Sequence, residues 1–393
     1  MRTEWMALKR TISEIDHPDW TDIAGKCELA MIRDGMKPDS NTIVCGLELV
    51  DAIPWDQLSG MQKTRVRLLL RLGRIAEQLG QWSSASTCFQ SAGTLAHTSG
   101  EYRLQAIALM EEGELLRRMG KLEQSVSCQE QAIDLARREG LLAEEADASN
   151  NLANALTELG EIDRAQDCFA GSLEIAERLN ESRIEGHVYN NLGVIRCIQG
   201  TFREAIGDFS RAVTKREQSS DTRGIIETYH NMSMAFKDLG DLNRAEESIQ
   251  IALEKGASIS NEGLMTNLML TSLEIKILKK DYEYAKYFAR IIEARQKKIG
   301  DTPGLAETLK LKGTICLGMK DGIQADAFFQ AALKMFAGMK LLHGEAETLE
   351  LLAECKVLSG DHDAAGSYRT RAGQLYSRLG NHEKAARLLI QPE

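Results

Sequence analysis

The sequence predicts an all-α chain built as a solenoid of helix-turn-helix units, and three observations predict it. Glycines recur 40 residues apart, at Gly80, Gly120, Gly160, Gly200 and Gly240. Small residues recur in fixed columns around that beat. Proline is absent between residues 55 and 302, as a run of long helices requires. A period of this size marks stacked supersecondary units that bury a continuous core only together.

The columns justify each element of the unit. Five residues after the beat stand Ala85, Ser125, Ala165, Ala205, Ala245, Ala285, Ala325 and Ala365. Seven residues before it stand Gly73, Gly113, Ala153, Gly193, Ser233, Leu273, Gly313 and Ala353. A glycine inside a helix costs about 1 kcal/mol against alanine, so its return in one column predicts two backbones in close approach. Nine residues after the beat, Phe89, Phe169, Phe209 and Phe329 are expected to fill the gap between the helices. The beat glycine ends the first helix in the left-handed conformation.

Eight such units run over residues 61–380. In units six and seven the beat falls on Lys280 and Lys320, and the turn of unit seven is expected to shift to Gly322. This irregularity reads either as a kink or joint, or as drift. Residues 1–60 keep the beat less cleanly. Trp5, Leu8, Ile12 and Ile15 fall at helical spacing, and a helix pair follows on either side of the "GMKPDS" phrase. This segment reads as an N-terminal helical cap or a degenerate repeat. Residues 381–393, with "NHEKAARLLI", read as a capping helix at the other end, since an open-ended stack needs one.

Composition narrows the class. The chain is 43% hydrophobic, 27% charged and only 5% aromatic, with a net charge of −10. That balance disfavours nucleic acid and anionic membrane surfaces as partners, since both need a basic face. The first 20 residues carry charges throughout, and no run of 18 apolar residues occurs, so a cytoplasmic protein is expected. Among eight cysteines there is no CxxC. Cys88, Cys128 and Cys168 share one column, about 10 Å apart between neighbouring units, beyond the reach of a disulfide. They read as small buried residues in a reducing compartment, with a metal site as the lesser alternative.

The phrases "NNLANALTELGEIDRAQDCFAGSLEIA" from Asn150, "NNLGVIRCIQGTFREAIGDFSRAV" from Asn190 and "HNMSMAFKDLGDLNRAEESIQIAL" from His230 resemble the tetratricopeptide repeat. The 40-residue unit is similar to the longer class found in LGN, kinesin light chain and some bacterial peptide-sensing regulators. The resemblance implies a right-handed superhelix whose first helices line a concave groove. It implies a binding function without naming the ligand.

Helical spacing then selects the groove residues, which lie 13, 10, 9 and 6 positions before each beat. Unit three offers Asp147, Asn150, Asn151 and Asn154; unit four, His187, Asn190, Asn191 and Val194; unit five, Glu227, His230, Asn231 and Met234. Asparagine is a poor helix-interior residue, because its amide competes with the backbone. Five of the six paired positions Asn150, Asn151, Asn190, Asn191, His230 and Asn231 carry it nonetheless. A ladder of amides offers donors and acceptors to the backbone of an extended peptide. The resemblance implies the same contacts. The alternative is that these amides tie neighbouring helices together.

Arg67, Arg71 and Arg74 share one face of unit one and form either carboxylate-binding forks or a solvated surface with i,i+3 or i,i+4 ion pairs, such as Arg74 with Glu77 and, in unit two, Glu114 with Arg117 or Arg118. In units six to eight the groove columns read Asn267, Leu270, Thr271 and Glu274; Glu307, Lys310, Leu311 and Thr314; Glu347, Glu350, Leu351 and Glu354. A ligand running from the arginines to these acidic columns would carry the reverse charges.

No Walker loop, GxSxG, HExxH or strand-borne GxGxxG occurs. The expectation is a non-enzymatic scaffold or adaptor without cofactor or metal that binds a protein or peptide in its groove. Two alternatives remain, a peptide sensor whose superhelix changes pitch and a structural subunit of a complex.

Overall fold

The computed structural model describes residues 40–389 apart from 56, 57, 59, 260 and 380. The predicted N-terminal helix around Trp5 and the first part of the following pair lie outside the described residues. Helix α1 (Ser40–Ala52) precedes a series of pairs. These are α2 (Gln62–Gln78) with α3 (Trp82–Thr98), α4 (Tyr102–Arg118) with α5 (Leu122–Glu139), α6 (Leu142–Leu159) with α7 (Ile162–Leu179), and α8 (Ser182–Ile198) with α9 (Phe202–Gln218). Then come α10 (Thr222–Asp238) with α11 (Leu242–Gly256), α12 (Glu262–Leu278) with α13 (Tyr282–Ile299), α14 (Thr302–Gly318) with α15 (Gly322–Met339), and α16 (Leu342–Leu358) with α17 (His362–Arg378). The short α18 (His382–Leu389) follows. The described residues contain no strand. The fold is an all-α solenoid, and the chain divides between Ile195 and Arg196 into two compact units, from here on unit one and unit two, while units five to eight remain the 40-residue repeats.

In unit one the core falls into two clusters, which run from α1 to α4 and from α4 to α8, and the partly buried Ile107 packs against both. Val66, Leu68, Leu72, Phe89 and Leu115 are buried in the first, and Leu152, Phe169, Ile184 and Val188 in the second. In unit two Leu273, Ile292 and Ile315 form one core segment, and Phe329, Leu349, Leu352 and Tyr376 another.

The glycine column is a close approach. A Cβ added at Gly73 would lie 2.4 Å from Phe89, and one at Gly313 would lie 2.5 Å from Phe329. The aromatic ring occupies the space that the missing side chain leaves. Where Gln129 replaces the aromatic, its Nε2 donates to the Met110 carbonyl at 3.0 Å, so a polar residue fills the same slot with its donor satisfied.

Left-handed residues recur every 20 positions, twice as often as the glycine beat. Gly80, Gly120, Gly160, Gly200, Gly240 and Gly360 turn within pairs, with φ between 72° and 84°. Gly100, Gly140, Asn180, Ser220, Gly300 and Lys340 turn between pairs. Most of these helix ends use the same exchange of bonds; Gly80 N–H donates to the Glu77 carbonyl and Gln81 N–H to that of Ala76. This motif satisfies carbonyls that the end of the helix would leave unpaired.

Two expectations are corrected here. The turn of unit seven does not shift to Gly322. Lys320 takes the left-handed conformation at φ 66°, and Gly322 opens α15. The reason is Asp321, whose side chain accepts from Gln324 N–H at 3.0 Å and fixes the helix start one residue after the turn. Arg74, which the spacing paired with Glu77, instead bonds Glu111 on α4.

Candidate functional site

Residues of the groove columns sit on the first helix of each pair, the even-numbered helices. A period of 40 makes positions 41 or 37 apart in sequence neighbours across adjacent first helices. The structure stitches these helices at those separations. Asn150 to Asn191 and His230 to Thr271 are 41 apart, while Arg74 to Glu111, Lys237 to Glu274 and Lys310 to Glu347 are 37 apart.

In unit one the asparagines are brought together as a single chain of amides. Asn190 Nδ2 donates to Asn191 Oδ1 at 3.2 Å, and Asn191 Nδ2 donates across to Asn150 Oδ1 on α6 at 3.0 Å. Asn150 Nδ2 in turn donates to Asn151 Oδ1 at 3.4 Å. Asn150 and Asn190 are buried, and Asn151 and Asn191 half-buried. The chain ties α6 to α8 and presents the Asn151 amide nitrogen as its donor end. Asn154 on α6 and His187 on α8 are half-buried.

Arg67 is exposed on α2, with Arg71 half-buried one turn further along. Arg74 grips Glu111 of α4 through Nε and Nη2 at 2.8 and 2.6 Å. On α4, Arg117 and Arg118 both bond Glu114. Burial pushes the Glu114 carboxyl up, but the two guanidiniums outweigh it and hold the group below its usual range.

Unit two contains a groove of about 970 Å³ lined by first helices α10, α12, α14 and α16. All twelve of the columns that the register assigns to units six to eight line it, from Asn267 to Glu354. From unit five it takes His230 and Met234, while Asn231, also on α10, is half-buried. His230 Nε2 and Thr271 Oγ1 share a hydrogen bond of 2.8 Å, and burial lowers the affinity of the imidazole for a proton.

Charges in the groove are largely paired. Lys237 donates to Glu274 at 2.8 Å, and Lys310 bonds Glu307 at 2.8 Å and Glu347 at 2.6 Å. Lys310 is only 8% exposed; burial disfavours its ammonium, but Glu307 and Glu347 outweigh that and keep it protonated. Lys384 of α18 bonds Glu350 at 2.7 Å, and the Tyr376 hydroxyl donates to the same carboxylate at 2.6 Å.

Sequence reasoning missed several lining residues. Lys237, Val357 and Leu358 lie one turn beyond the chosen columns, Arg369 occupies the aromatic column, and Lys384 and Leu388 come from α18. The amphipathic phrase around Lys384 carried a signal for the last two. Among the described residues no group of His, Cys, Asp or Glu could hold a metal ion, and no helix is long and apolar enough to cross a membrane.

The stacked helix pairs define a helical-repeat protein. Residues 104–178 and 144–206 each match one tetratricopeptide repeat model, and residues 226–254 match a second. The chain is a tetratricopeptide repeat protein, and such repeats support a protein-interaction or peptide-binding role. No curated protein matches the sequence.

Among solved structures, the chain is similar to a signal transduction ATPase with numerous domains and a tetratricopeptide repeat sensor, from Pyrococcus horikoshii. That match has a TM-score of 0.67 and 12% identity, and covers 95% of this chain. This chain spans 56% of the ATPase's length. It is also similar to a Rap protein complexed with competence and sporulation factor, at a TM-score of 0.61 and 12% identity over 96% of this chain and 99% of that one. The apo quorum sensor NprR from B. thuringiensis matches at 0.58 and 12%, over 84% and 92%. At these identities the likeness is one of fold.

Proposed function

We propose that the chain is a non-enzymatic interaction module that holds an extended peptide, or an extended segment of a partner protein, against the first-helix faces of its repeats. The observation that carries this reading is the unit-two groove, in which four successive first helices bring apolar, amide and charged side chains to one cavity. Such a mixture of apolar lining and a few placed polar groups is what ligand sites offer. In unit one the Asn150, Asn151, Asn190 and Asn191 chain, with Asn154 and His187 beside it, supplies amide donors and acceptors for a peptide backbone. Arg67, Arg71 and Arg74 form the basic face of α2.

A second reading, peptide sensing, draws support from the fold relatives. One is described as a quorum sensor, one as a sensor domain, and one was solved with a competence and sporulation factor. In this reading the stack changes its dimensions when peptide binds.

The test is selection of bound peptides from a randomised library by the purified chain, followed by small-angle scattering with the best binder. An interaction module retains a defined peptide set, and Leu311→Asp in the groove or Asn151→Ala on the amide chain weakens it while circular dichroism stays unchanged. Compaction on binding favours the sensor. Retention of no peptide by the folded chain removes both readings.

A further inference from the structure

Resting on the peptide-binding reading, we propose that the unit-two groove selects a segment carrying one basic side chain flanked by apolar ones, with the cation seated among Glu274, Glu307 and Glu347.

The charge balance of the groove supports this choice. Around its middle stand the three carboxylates of Glu274, Glu307 and Glu347, contributed by α12, α14 and α16. Two ammoniums face them. Lys237 is held by Glu274 at 2.8 Å, and Lys310 by Glu307 at 2.8 Å and Glu347 at 2.6 Å. One negative charge is left over. Toward the C-terminal end the carboxylates of Glu350 and Glu354 are equalled in number by the cations of Lys384 and Arg369, of which Lys384 bonds Glu350 at 2.7 Å, so the surplus belongs to the middle. Burial favours the neutral form of His230, and His343, whose Nδ1 lies 3.5 Å from Glu347, is exposed and outside the groove lining, so neither brings a cation to Glu307.

Glu307 registers the surplus. Burial pushes its carboxyl above the usual range, Lys310 opposes that, and Glu347 and Glu274 add to the rise. An arriving ammonium or guanidinium relieves this repulsion. An arriving carboxylate adds to it, and at Lys237 or Lys310 gains a partner only by breaking a pair already formed.

The walls beside these carboxylates are apolar. Met234, Leu270, Leu311 and Leu351 line the same cavity. Met234 is 40% exposed, so apolar surface is open to a ligand there. Side chains on either side of the basic residue therefore meet hydrocarbon, and the segment is apolar, basic, apolar in order.

Randomised hexapeptides with a central Lys, Glu or Leu provide the probe, with bound peptides read by mass spectrometry from the full chain. The expected result is enrichment of the Lys pool, with Leu, Ile, Val or Met beside the lysine. Its best peptide loses affinity about tenfold on Glu307→Gln, equivalent to about 1.4 kcal/mol. The best peptide of the Leu pool keeps its affinity on the same change. Glu307→Gln leaves Lys310 its Glu347 partner, and circular dichroism checks that the variant folds. Equal or greater retention of the Glu pool overturns the proposal, as does a Lys-pool peptide indifferent to Glu307→Gln; in both cases peptide binding itself stands. If no pool is retained, the peptide-binding reading fails and takes this inference with it.

Discussion

At the residue scale, the same substitution should have opposite signs at two glycines. Gly313 lies in α14 against the Phe329 ring, and an added Cβ would approach that ring at 2.5 Å. Gly207 lies exposed within α9, where an added Cβ meets nothing within 4 Å. Gly313→Ala is therefore overpacked and should lose about 1–3 kcal/mol. Gly207→Ala should gain about 0.5–1 kcal/mol from helix propensity and a stiffer unfolded chain. Urea titrations of both variants check this. Phe329→Leu added to Gly313→Ala should recover part of the loss, because the two residues share one volume. A Gly313→Ala variant as stable as the parent would mean that the repeats separate there more easily than the packing implies.

At the element scale, helix ends are governed by two devices, and only one is visible in residue identity. Glycine at the beat was legible because its column repeats. The second set of turns, between pairs, was not, because Asn180, Ser220 and Lys340 hold the left-handed conformation where glycine is absent. The bond from the residue after the turn back to the helix carbonyl stabilises that conformation whichever side chain it carries. The other device is the side-chain cap. Asp221, Asp241, Asn261, Asp301, Asp321 and Asp361 each accept a backbone N–H three residues on, and all six belong to unit two. Asp301 accepts from Gly304 N–H at 2.9 Å, and Pro303 in the same turn has no N–H that needs a partner. Asp301→Ala should cost about 1 kcal/mol, and Asp301→Asn only a few tenths, since the amide oxygen also caps. Thermal denaturation of the two variants separates them; equal losses would assign the effect to charge at the helix start rather than to the hydrogen bond.

At the scale of the whole molecule, the repeat register carried most of what was legible. It placed Leu270, Leu311 and Leu351 on one cavity because a 40-residue period returns a side chain to the same face of the next first helix. It did not show that Asn150 and Asn191, or Lys310 and Glu347, would bond each other, since side-chain reach is absent from a column pattern. Nor did it show that α18 supplies Lys384 to the groove. The same register sets how a perturbation spreads. Among the described residues the substantial helix contacts join either consecutive helices or adjacent first helices, so α15 packs on α14 and α16. Stability in such a stack is a sum of local terms and nearest-neighbour interfaces. Phe329 is fully buried in α15, and Phe329→Ala should cost about 3–5 kcal/mol. Hydrogen exchange read by mass spectrometry should show faster exchange in α14, α15 and α16, with α2 to α4 at their original protection. Loss spread evenly over every helix would show instead that the chain unfolds as one cooperative body, with coupling carried far beyond the contacts that each helix makes.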